Sequence, residues 1–162
     1  MVKGRFQNFL SCLHVKDDMA ANATKDRLWK LRPLVDHPNF NFVKLYDVKR
    51  EQSIEESMVL FKDRSCLKQN CPMKPIKRGL KLWVRADSDG YISIFSVYQG
   101  KGTGTEGAHR EDFGLGESVV IDLCQDILGR GHRVFFENFF YISASPVLSQ
   151  EKIKLWDAEP SA

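Results

Sequence analysis

The stretch Ser53-Ile54-Glu55-Glu56-Ser57-Met58-Val59-Leu60-Phe61-Lys62 decides the fold of this chain. Its apolar side chains occupy both alternating sets of positions, which is typical of a strand in the centre of a sheet with both faces covered. Two adjacent acids interrupt the run. A carboxylate within an apolar strand is costly to bury unless it is paired or binds a metal, so Glu55 is a candidate for chemistry.

A second stretch, His132-Arg133-Val134-Phe135-Phe136-Glu137, also reads as an apolar strand that ends at a carboxylate. If the two strands are neighbours, Glu55 and Glu137 form a pair that suits a divalent metal and phosphoryl transfer. From spacing alone the alternative stays open that each acid is exposed at a strand end or is satisfied by a Lys or Arg.

The N-terminal part of the sequence predicts helices. Apolar periodicity indicates a helix over 5–14, and Thr24 is an N-cap candidate for a second helix. We expect Pro33 to end or kink that second helix, and we expect residues 36–39 to form a turn. A further short helix is predicted from Phe40.

The remainder predicts strands and one helix. After the strand from Ser53, strands are expected over 80–86 and 91–98, joined by a hairpin turn at 87–90. A helix from about Gly116 and a strand over 132–136 complete a β-β-β-α-β order, which favours a mixed α/β layer fold. In the strand 80–86 alternation predicts one set of side chains facing inward (Leu80, Leu82, Val84, Ala86) and the other facing outward (Lys81, Trp83, Arg85).

Positive charge is concentrated in one segment, although the net charge of the 162 residues is only +3. Residues 62–85 carry eight Lys or Arg against one acid, Asp63. Such a density suits a polyanion, and the alternative is a solvated basic loop. The residues predicted to contact nucleic acid are Lys62, Arg64, Lys68, Lys74, Lys77, Arg78 and Lys81.

Several other classes of site are excluded by pattern. The four cysteines form no CxxC pair and have no histidine at ligand spacing, so we expect no zinc. The glycines at 102, 104 and 107 match a dinucleotide fingerprint, but no helix opens there, so we expect no nucleotide. No apolar run is long enough for a membrane span. Without a signal peptide, an intracellular chain with reduced thiols fits best.

Read over greater length, the chain resembles the piggyBac-type transposases. Residues 53–58 are similar to the family's S-I-D-E-S-M core, and residues 26–34 to its helical lead-in. Residues 61–69 and 72–83 resemble its F-K-G-R-S-x-L-K-Q and P-x-K-P-I-K-R-G-x-K-x-W signatures. Phe136-Glu137-Asn138-Phe139-Phe140 continues the series, and the resemblance covers roughly residues 5–148.

The resemblance implies an RNase H-like core behind a helical region for dimerisation and DNA binding. It implies a helical lead-in over 1–50, a partial core over 51–148 and a divergent tail over 149–162. In the family three aspartates hold two Mg²⁺ ions. Their first two positions fall on Glu55 and Glu137, and we expect the third to lie beyond the end of this chain, so that the core is incomplete.

Each glutamate moves its carboxylate by about 1.5 Å relative to aspartate. Because Mg²⁺ demands near-octahedral geometry, we expect weak Mg²⁺ binding at most and no catalysis. The resemblance then implies a catalytically inactive, nuclear domain that binds DNA, a second copy or another protein. The alternative is a metal-dependent DNA transposase or nuclease that uses glutamate in place of aspartate.

Overall fold

The computed structural model describes residues 2–13, 15–16, 26–100 and 114–136. Within these ranges three helices and five strands form, with a 3₁₀ turn at Gln125–Ile127. The helices are α1 Lys3–Ser11, α2 Arg32–Leu45 and α3 Leu115–Cys124. The strands are β1 Glu51–Leu60, β2 Lys68–Asn70, β3 Arg78–Asp87, β4 Ile92–Val97 and β5 Arg133–Phe136.

The five strands form one mixed sheet with β1 at its centre. β1 pairs antiparallel with β3, from Gln52 opposite Asp87 to Leu60 opposite Gly79. On its other side β1 pairs in parallel with β5. β2 and β4 both pair with β3, on the side away from β1. A parallel neighbour requires a crossover, and α3 lies in the segment that supplies it. The mixed α/β fold predicted from the sequence is confirmed, with the short strand β2 added to it.

One face of this sheet forms the core against α3. Ile54, Trp83 and Val134 from three strands pack against the apolar side chains of α3 and the 3₁₀ turn. Those side chains are Val119, Val120, Leu123, Cys124 and Ile127. On the opposite face of β1, Glu55, Ser57 and Val59 are exposed. The expectation that both faces of β1 are covered is therefore wrong for the described residues.

The predicted orientation of β3 is wrong for Trp83 and Arg85, although Val84, predicted to face inward, is buried. Trp83 and Arg85, expected to face outward, are 3% and 0% exposed, whereas Leu80, Leu82 and Ala86 are only half-buried. Arg85 tolerates burial because the Asp126 carboxylate receives two of its N–H groups at 2.6 and 2.7 Å. Arg85 also donates to the Leu123 carbonyl at 2.6 Å, so it ties β3 to the end of α3.

Helix α2 overrides two proline signals in the sequence. Pro33 lies in the first turn of the helix, where its missing N–H is no loss, so the expectation that it ends a helix is wrong. The turn expected at 36–39 is helical as well, with Pro38 inside α2. Packing of α2 along β4 accounts for this, because tertiary contacts outweigh local propensity. The Thr24 N-cap prediction lies outside the described residues.

The turn chemistry was predicted correctly. Asp87 to Gly90 join β3 to β4, and the Asp87 carboxylate accepts the N–H groups of Asp89 and Tyr91. Gly90 has φ of 81°, which a side chain would disfavour. The helix α1 forms as expected, and its apolar residues Phe6, Phe9 and Leu10 are exposed. Leu13, just beyond its end, is exposed as well. No helix in the described ranges combines the length and apolar character needed to cross a membrane.

Candidate nucleic-acid interface

Glu55 lies in the middle of the central strand and is exposed. Its register partner on β3 is Val84, so the closest cross-strand neighbour on that side is apolar. On the other side the parallel ladder ends with Ile54 opposite Phe136. In the sequence the residue after each of these two is a glutamate, which is the arrangement that the candidate pair requires.

Glu137 itself lies outside the described residues, so its position relative to Glu55 stays a prediction. Across the described part of the chain, no three His, Cys, Asp or Glu side chains gather where they could hold a metal ion. Glu51 shares the face of Glu55, but four residues along a strand separate them by about 13 Å. The described residues alone therefore do not make an Mg²⁺ site.

Glu56, the neighbouring acid, has a structural role. Its Oε2 pairs with Lys81 Nζ at 2.9 Å, and its Oε1 accepts the Cys71 thiol at 3.6 Å. Burial and the nearby Glu56 carboxylate raise the pKa of Cys71. Lys81 Nζ also lies 4.0 Å from the ring centroid of Trp83. Lys81 is thus held within the sheet, although it was predicted to contact nucleic acid.

The other predicted basic residues converge on one end of the sheet. Leu60 at the end of β1 lies opposite Gly79 at the start of β3, and Arg78 lies opposite Asn70 of β2. The end of β1, the end of β2 and the start of β3 therefore lie side by side, and the segments next to them carry the cations. We call this region the basic end; it comprises Lys62, Arg64, Lys74, Lys77 and Arg78, of which all but the half-buried Lys74 are exposed.

Two contacts hold the basic end in shape. Lys68 Nζ donates to the carbonyls of Lys62 and Asp63 at 3.1 and 3.3 Å, which fastens the segment after β1 to β2. Gly79 is buried where a Cβ would collide with the Val59 carbonyl, so only glycine allows β3 this close to β1. Lys68 was predicted to contact nucleic acid, and these bonds give it a structural role as well.

The hairpin loop between β2 and β3 was missed in the sequence. The Cys71 N–H donates to the Lys77 carbonyl at 2.8 Å, and the Lys74 N–H donates to the Cys71 carbonyl at 3.1 Å. The second bond closes a β-turn over residues 71–74, with Pro72 in its second position and Met73 in its third. Pro72 indicates this turn in the sequence, because proline favours the second position of such turns. Met73 is 96% exposed at this tip.

Comparison with known proteins gives consistent similarities. The family model described as Transposase IS4 matches residues 1–150. PiggyBac transposable element-derived protein 3 of Homo sapiens is 35% identical over 144 residues, which are 86% of this chain and 23% of that protein. PiggyBac transposable element-derived protein 2 of Homo sapiens is 33% identical over 141 residues, 85% of this chain and 23% of that protein. The chain spans about a quarter of the length of these relatives.

Among solved structures, the chain is similar to a piggyBac transposase in a synaptic complex with hairpin DNA, determined by cryo-EM. The TM-score is 0.76 at 24% identity, and the match covers 93% of this chain and 30% of that one. At this identity the similarity establishes the fold. The RNase H-like core expected from the sequence is thereby confirmed as the fold class.

Proposed function

This chain belongs to the piggyBac group of the transposase family, and we propose that it is a catalytically inactive domain that binds duplex DNA through the basic end. The observation that carries the proposal is the convergence of two chain segments onto one end of the sheet, Lys62 and Arg64 after β1 and Lys77 and Arg78 at the start of β3. Cations that neutralise phosphates release counterions from DNA, and this term dominates sequence-independent binding.

The fixed geometry of the basic end favours nucleic acid over a merely solvated loop. Two strand pairings and the Lys68 bonds hold its backbone, so binding orders few main-chain groups. A phosphate backbone presents regularly spaced charges, and a fixed set of cations meets such a lattice without rearrangement. The solved piggyBac transposase complex contains hairpin DNA, which supports the same class of ligand for this chain.

Absence of catalysis is proposed from the residue types at the acidic positions. The resemblance to the family implies that Glu55 takes the place of its first aspartate and Glu137 the place of its second. The longer side chain displaces each carboxylate by about one C–C bond, and a misplacement of about 1 Å can cost on the order of 10²-fold in rate. A DNA-binding domain of this kind belongs in the nucleus.

Charge reversal tests the binding surface. We expect Lys77→Glu with Arg78→Glu to weaken the binding of a fluorescein-labelled duplex, measured by fluorescence anisotropy at low salt. The matched control is Lys44→Glu with Arg130→Glu, which makes the same change in net charge at exposed positions elsewhere. If both double variants lose the same amount of DNA affinity, the effect comes from net charge alone, and this contradicts the assignment of the basic end as the binding surface.

A cleavage assay tests inactivity. Purified protein with Mg²⁺ or Mn²⁺ is expected to leave supercoiled plasmid intact, and Glu55→Asp with Glu137→Asp measures whether family-type ligands restore nicking. Nicking by the unaltered protein that disappears in Glu55→Gln would establish the alternative, a metal-dependent nuclease with glutamate ligands.

A protein partner is the second candidate, favoured by the apolar stripe of α1. Phe6, Phe9 and Leu10 are exposed and, at positions i, i+3 and i+4, lie on one side of this helix. Sedimentation velocity of the protein and of Phe6→Ser with Phe9→Ser distinguishes the cases. Self-association that the substitutions abolish supports a second copy as the partner, and a monomer at all concentrations excludes it.

A further inference from the structure

One apolar side chain at the basic end is almost fully exposed at the tip of the β2–β3 loop. Met73 is 96% exposed, with Lys74 beside it in the loop and Lys77 and Arg78 at the base of the loop. An isolated exposed apolar residue is ordinary on a protein surface. A fully exposed one at the tip of a constrained loop, inside a group of cations, is a different arrangement.

The loop is held in one shape by its own bonds and residues. The Cys71 to Lys77 bond extends the β2–β3 ladder, and the turn over 71–74 is closed by a second bond. Pro72 and Pro75 restrict the backbone further, since each fixes its φ near −65°. Met73 is therefore carried on a preorganised support, and its insertion into a ligand would order only its own side chain.

The chemistry of such a tip matches one mode of DNA contact. Proteins that bind the minor groove insert Phe, Leu, Ile, Met or Pro between base steps and kink the duplex by roughly 20–90°. Met is unbranched and adapts to narrow spaces, and the minor groove is about 6 Å wide. The cations at the loop base suit the phosphates on either side of the insertion.

We propose that Met73 is a wedge that enters the minor groove and partly unstacks one base step of bound duplex DNA. This inference rests on the proposed function, because the cations of the basic end deliver the loop to the duplex. Insertion of Met73 adds a preference for particular base steps, which phosphate contacts alone do not provide. Flexible pyrimidine–purine steps such as TA unstack easily and stiff A-tracts do not, so the domain favours the former.

Bending measured on bound DNA tests the wedge. Donor and acceptor dyes at the two ends of a duplex with a central TA step report the end-to-end distance, and 2-aminopurine beside the step reports unstacking. On binding we expect the distance to shorten and the 2-aminopurine fluorescence to rise. Met73→Ser should abolish both signals while retaining salt-dependent binding, and Met73→Leu should keep them.

The matched control is Leu45→Ser, which removes an apolar side chain that is 79% exposed at the end of α2. It should leave bending and unstacking unchanged. Binding without bending, or bending that persists in Met73→Ser, overturns the wedge and leaves the DNA-binding proposal standing. Absence of any duplex binding overturns both.

Discussion

Arg85 is a fully buried cation whose charge is balanced by one carboxylate 41 residues later in the chain. Removing one partner from a buried ion pair leaves an uncompensated charge, which costs on the order of 3 kcal/mol or more. We therefore predict that Asp126→Asn lowers the free energy of unfolding in urea by about 3 kcal/mol.

The matched control removes both charges together. Arg85→Met with Asp126→Leu is expected to be less destabilising than Asp126→Asn alone, since apolar replacement of a buried pair is often neutral. A double variant that is as unstable as the single one would show that the charge pairing is not what Arg85 requires.

Tyr46 and Asp87 form a hydrogen bond that is sensitive to pH at both extremes. The Tyr46 hydroxyl donates to Asp87 Oδ2 at 2.7 Å, and this bond raises the pKa of Tyr46 to about 12. Burial raises the pKa of Asp87, but bonds from Tyr46 and from the Asp89 and Tyr91 N–H groups outweigh it and lower the pKa overall. Both shifts favour the pair of neutral phenol and ionised carboxylate.

The signs of these shifts set the predicted pH windows. A raised tyrosine pKa contributes stability that is present below pH 10.0 and lost as pH rises to about 12. A lowered aspartate pKa contributes stability that is present above 3.8 and lost as pH falls through the folded value. The difference in unfolding free energy between the protein and Tyr46→Phe should shrink in both windows. A constant difference across them would contradict the assignment.

At the scale of elements, Asn39 joins α2 to the outer edge of the sheet. Its side chain donates to the Phe95 carbonyl at 2.8 Å and accepts the Phe95 N–H at 2.9 Å, as a neighbouring strand would. We predict that Asn39→Ala destabilises the protein by about 1–3 kcal/mol, because two backbone groups of β4 lose their partners.

The freed edge is also expected to promote aggregation, since unpaired strand edges template further pairing. Urea unfolding and light scattering measure the two effects. Asn41→Ala is the control, because Asn41 bonds the exposed His37 on the same helix. If Asn39→Ala matches this control in both assays, α2 does not protect the sheet edge.

Some elements could be predicted from local sequence and others could not. The strands at β3 and β4 and the turn at Asp87 to Gly90 follow from alternation and turn residues. Helix α2 could not be predicted over its full length, because Pro38 disfavours a helix locally and contacts with β4 outweigh that preference. The inward face of β3 was also beyond reach, since burial of Arg85 depends on Asp126, far along the chain.

At the scale of the whole molecule, the candidate site was only partly readable from the sequence. The local count of Lys and Arg indicates the basic segment, and the resemblance to the family indicates Glu55. The structure shows that the cations of this segment are not equivalent. Lys81 contacts Glu56 and Trp83, whereas Lys77 and Arg78 are exposed. Strand pairing, which the residue count does not contain, brings the remaining cations together.

The central claim is that the basic end neutralises DNA phosphates, and the salt dependence of binding tests it most directly. The logarithm of the binding constant should fall linearly with the logarithm of KCl concentration, with a slope of magnitude up to about 4.5 if all five cations meet phosphates. In Lys77→Glu with Arg78→Glu, the magnitude of the slope should fall by about 2. An unchanged slope in that variant, or binding that does not respond to salt, would contradict the account.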